Sequence, residues 1–103
     1  MIEKREFYIN GAWVSPSKPR DCDVIDPSNE EPCAVISLGS PEDTDKAVAA
    51  AKAAQQSWAQ TDPEVRLGYV KKIREIYAER AEDMAQAISL EMGAPIAMSR
   101  SSQ

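Results

Sequence analysis

The chain has 103 residues, 43% apolar and 28% charged, which bounds it to one globular domain at most. Lysine and arginine number 12 against 17 aspartates and glutamates, and the net charge of −5 argues against a nucleic-acid partner. Histidine is absent, which removes Ser-His and Cys-His catalysis and the commonest zinc ligand.

The N-terminal run MIEKREFY lacks the apolar stretch of a secretion signal, and no segment approaches the roughly 20 apolar residues of a membrane span. A cytoplasmic chain with no membrane partner is therefore expected. In that compartment Cys22 and Cys33 are free thiols, unless their strands lie side by side and let them pair.

Phe7-Tyr8-Ile9 and Ala12-Trp13-Val14 flank Asn10-Gly11, the pair that favours a two-residue hairpin with both central φ values positive. A polar, proline-containing link follows over Ser15 to Asp21. Then come two strand candidates, Asp23-Val24-Ile25-Asp26 and Cys33 to Leu38, separated by the turn sequence PSNEEP.

Ser40-Pro41-Glu42-Asp43 announces the first helix: a cap, a proline at the first helical position and an acid placed for a capping box. Its body is alanine-rich. Ala47, Ala51, Ala54 and Trp58 share one face, so small residues admit a close neighbour while Trp58 anchors the end.

Asp62-Pro63 caps a second helix that extends toward Met92, with Gly93 as its left-handed stop and Pro95 beyond. Val70, Ile73, Tyr77, Met84 and Ile88 form its apolar stripe. Near Ala81-Glu82-Asp83 a break is expected, with Asp83 as a new cap. PIAMSRSSQ reads as the start of a third helix and carries no closing signal.

The expected fold is an α/β fragment, mainly helical, divided into a β front (residues 1–39) and a helical back (residues 40–103). A helix of ~30 residues is roughly 45 Å long and needs a surface nearly its own length. The short strands and the alanine helix offer too little, which points to missing chain or to partner chains.

In order, these segments resemble the opening of the NAD(P)-dependent aldehyde dehydrogenase superfamily over about residues 7–98. Tyr8-Ile9-Asn10-Gly11-Ala12-Trp13 is similar to the family's opening strand pair, and Val24 to Glu31 to its "V-x-N-P-x-T-G-E" turn. Asp43 to Ala51 with Trp58 resembles its "D-x-D-x-A-V-x-A-A" helix, Arg66 to Ile76 its next helix, and Leu90-Glu91-Met92-Gly93-Ala94-Pro95 its "L-E-x-G-K-P" close. Two positions depart from the pattern. Glu30 replaces the turn glycine, so Asn29 is expected to take the left-handed conformation, and Ala94 replaces a lysine.

The resemblance implies the outer, N-terminal part of a cofactor-binding domain. It also implies an activity whose chemical groups lie downstream: a cysteine nucleophile in "G-Q-x-C", a glutamate base in "E-L-G-G" and a "G-x-x-x-x-G" cofactor loop. None of these strings occurs here. No catalytic or cofactor-binding residue is therefore assigned, NAD or NADP is expected only in the full-length enzyme, and the chain alone is expected to be inactive. Its expected partner is the remainder of the enzyme, or another copy in a homo-oligomer. The resemblance further implies a structural cation held by the Ile25 carbonyl and the Glu91 carboxylate, oxygen donors that suit a hard ion.

Other constellations read more plainly as structure. Capping explains Glu42-Asp43 better than acid–base work does, and Glu30-Glu31 and Glu82-Asp83 are adjacent residues that do not face each other on a helix. Lys71, Lys72 and Arg74 read as a solvated face with Lys71 and Glu75 in i,i+4 register. Trp13 and Trp58 read as packing anchors. The class alternative to an enzyme piece is a helical self-association or partner-binding module.

Overall fold

A computed structural model describes all 103 residues, Met1 to Gln103. Five strands precede four helices: β1 (Ile2–Lys4), β2 (Phe7–Ile9), β3 (Ala12–Val14), β4 (Asp21–Asp26), β5 (Glu31–Ser37), α1 (Pro41–Ala59), α2 (Pro63–Glu79), α3 (Ala81–Met92) and α4 (Ile96–Ser101). They group into two compact units, residues 1–25 with 32–60, and residues 26–31 with 61–103.

In the first unit β2 and β3 form the expected hairpin, with Phe7 opposite Val14 and Tyr8 opposite Trp13. Asn10 and Gly11 have φ of 54° and 78°, as a primed turn requires. Across the strands the Tyr8 and Trp13 rings stand 5.2 Å apart. The hairpin meets α1 at its alanine face: Tyr8, Ile9, Asn10 and Gly11 share an open hollow with Ala47, Ala50, Ala51 and Ala54. Phe7 also lies 3.7 Å from where a Cβ on Gly39 would stand. Trp58 is 45% exposed, so it does not close that face as a buried anchor.

A second sheet has the order β1-β5-β4. Strand β1 was not expected from the sequence, because Ile2-Glu3-Lys4 is short and polar. It pairs parallel to β5, with Ile2 opposite Ala34 and Lys4 opposite Ile36. Pro32 is tolerated near the start of this central strand because it lies outside the stretch paired with β1.

The second unit begins with the turn Asp26–Glu31. Asp26 carries it: its carbonyl accepts the Glu30 N–H at 2.8 Å and its side chain accepts the Ser28 N–H at 2.8 Å. Here the expectation for Asn29 fails, since Glu30 takes the left-handed conformation at φ 63°. Asn29 instead turns its side-chain oxygen to the Glu31 N–H at 3.0 Å, and that closure places the bend at Glu30.

The expected long helix is two helices. Its break falls at Arg80 (φ −107°, ψ 12°), one residue before the predicted site. Asp83 is not a new cap. It lies in the first turn of α3, 3.7 Å from Arg80. Asp62 likewise makes no side-chain capping bond at the start of α2. Gly93 ends α3 at φ 71°, as expected. A Cβ there would also meet the Pro27 ring at 2.9 Å, so packing as well as backbone conformation demands glycine.

Little apolar surface is removed from water. Val35 and Ala85 are the buried apolar residues. Along α2 and into α3, Val70, Ile73, Ile76, Tyr77 and Met84 are between 42% and 66% exposed. Ridges of this kind normally face other elements.

Candidate functional site

The most highly connected polar group is Asp43, in the first turn of α1. One carboxylate oxygen accepts the Ser17 N–H at 2.9 Å and the Ser17 hydroxyl at 2.7 Å. Its other oxygen accepts the Ser40 N–H and hydroxyl, both at 3.0 Å. Ser40 returns a bond to the Asp43 N–H, completing the capping box foreseen in the sequence. Asp43 is only 6% exposed. Donation from the Ser40 N–H, then from Ser17, holds its carboxyl well below the usual carboxylate range. Both oxygens are occupied in fastening the chain, so this acid is a structural tie and not a proton carrier.

A second ionic group lies at the strand end of the same unit. The Arg5 guanidinium grips Asp21 with two bonds, 2.9 and 3.1 Å, and reaches Glu3 at 2.7 Å. These bonds lower the Asp21 carboxyl and raise Arg5 further. The groups are solvent-exposed, where such pairs contribute little to stability.

In the second unit Glu82 joins α3 to α4. Arg100 donates to both of its oxygens, at 2.9 and 2.8 Å, and Gln86 donates at 2.8 Å. Arg100 first, then Gln86, pulls the Glu82 carboxyl down to about 2. Beside this pair the hydroxyls of Ser89 and the fully buried Ser99 meet at 2.9 Å. The Tyr77 hydroxyl donates to the Gln103 side chain at 2.8 Å. An open apolar hollow of about 420 Å³ is lined by Ile73, Ile76, Tyr77, Met84 and Ala87, with Arg80 and Asp83 at its rim.

Two of the three acid pairs thus have structural occupations, through Asp43 and Glu82, while Glu30-Glu31 belongs to the turn. On the basic stretch of α2 it is Lys72, not Lys71, that meets Glu75, at 3.7 Å with i,i+3 spacing. Both cysteines are free. The Cys33 thiol points to the Val24 carbonyl at 3.3 Å and the Cys22 thiol to the Asp23 carbonyl at 3.8 Å. Ile25 is in β4 and Glu91 in the last turn of α3, so the two residues named for a cation belong to different units. No three His, Cys, Asp or Glu side chains gather into a metal-binding group.

Sequence reasoning missed Ser17, Arg5 and Arg100. Ser17 lies 26 residues from Asp43, Arg5 16 from Asp21 and Arg100 18 from Glu82. No local pattern reports such pairings.

Short strands precede helices, the carboxylates of Asp43 and Glu82 are used as fastenings, and large apolar side chains along α2 are open to solvent. The model of the aldehyde dehydrogenase family matches residues 13–103. This chain belongs to that family, as an N-terminal segment of it.

Among solved structures, an aldehyde dehydrogenase from Bartonella henselae superimposes with a TM-score of 0.96 at 61% identity, over 98% of this chain and 21% of that one. Aldehyde dehydrogenase C from Pseudomonas syringae, solved as a mutant with NAD+ and octanal, gives 0.91 at 48% identity, over 93% of this chain and 20% of that one. A 3-succinoylsemialdehyde-pyridine dehydrogenase from a Pseudomonas species is 40% identical over 96 residues, 93% of this chain and 20% of the relative. The chain thus spans about a fifth of the length of the relatives it matches, and it lacks their catalytic region.

Proposed function

We propose that this chain serves as the front segment of an NAD(P)-dependent enzyme that oxidises an aldehyde to a carboxylic acid, and that alone it neither turns over an aldehyde nor holds the cofactor. The observation that carries this reading is the match at TM-score 0.96 across nearly all of this chain but only 21% of the Bartonella henselae enzyme. Residues 1–39 and 40–103 together form an incomplete N-terminal part of the cofactor-binding domain. Their task is to supply surface: the stripe from Val70 to Met84 packs on the remainder of the enzyme. The cofactor of the full-length protein is NAD or NADP, with NAD supported by the neighbour solved with NAD+. The setting is cytoplasmic, and no helix here is long and apolar enough to cross a membrane.

Left uncovered, the same stripe drives self-association into a homo-oligomer. The purified chain, incubated with an aldehyde and NAD+ or NADP+, is expected to form no reduced cofactor and to scatter light with a mass above 11.3 kDa. Aldehyde-dependent cofactor reduction by the chain alone overturns the reading of inactivity, and a monodisperse monomer overturns self-association.

The Ile25 carbonyl and the Glu91 carboxylate are oxygen donors of the kind a hard cation takes, and the six to eight oxygens of such a shell then come largely from outside this chain. Metal analysis of the full-length enzyme should show less bound cation in Glu91→Gln, and unchanged metal content rejects the assignment.

A further inference from the structure

We draw no further inference here: the strongest candidate, the open apolar hollow of the second unit lined by Ile73, Ile76, Tyr77, Met84 and Ala87, belongs to the face already assigned to packing within the full-length enzyme, and nothing in the structure shows what else covers it.

Discussion

In the first unit one carboxylate, Asp43, gathers four donors from Ser17 and Ser40, two of them backbone amides. In the second unit α3 and α4 are joined side chain to side chain, by Glu82 with Arg100 and by Ser89 with Ser99. The difference matters because orphaned backbone donors are costly to leave unpaired, whereas exposed ion pairs exchange readily with water. Both units have little buried apolar surface, so their fastenings differ while their need for a larger core is shared.

Breaking Asp43 should therefore have the largest effect. Asp43→Ala removes the acceptor of the Ser17 and Ser40 amides, so those amides should lose protection from hydrogen exchange. The loss of thermal stability should exceed that of Glu82→Ala. Equal or smaller losses would remove the contrast between the two units.

Next in size is Gly93→Ala. It forces an L side chain into the left-handed region, at about 1–2 kcal/mol, and drives a methyl group to 2.9 Å from the Pro27 ring. Denaturant titration should report destabilisation of at least that order, and a neutral substitution would contradict the packing of Gly93 on the turn.

The smallest effect is the acid response of Glu82. Its folded carboxyl lies at about 2, below its ordinary value of 4.5. Its contribution to stability is thus present above pH 4.5 and lost as pH falls toward 2. Carboxyl NMR should place its midpoint near 2, and Arg100→Gln should move it upward. A midpoint at 4.5 in the unmodified chain would show that the clamp is not populated.

The parts of the fold legible in the sequence are those that depend on neighbouring residues. Asn10-Gly11 defines the hairpin because both positions need positive φ, and Ser40 with Asp43 defines the start of α1 because a capping box spans three residues. Gly93 marks the end of α3 for the same local reason.

What stayed hidden depends on distance. Strand β1 exists only because β5 lies beside it, and the second partner of Asp43, Ser17, is 26 residues away. The left-handed residue of the turn is Glu30 and not Asn29, because Asn29, suited to that conformation, uses its side chain to cap the turn instead. The sequence strings around Cys22 and Cys33 lack the family's nucleophile context, and that is legible from neighbouring residues alone.

This chain is an N-terminal segment of the aldehyde dehydrogenase family, and the proposal that it needs the rest of the enzyme to act can be tested. The most direct test replaces the matching segment of the Bartonella henselae enzyme with these 103 residues and measures NADH formation from an aldehyde that the parent oxidises. The account predicts a folded chimera whose kcat/KM lies within about tenfold of the parent, a loss below ~1.4 kcal/mol in transition-state stabilisation. A chimera of native size and helicity with no aldehyde-dependent NADH formation would contradict it.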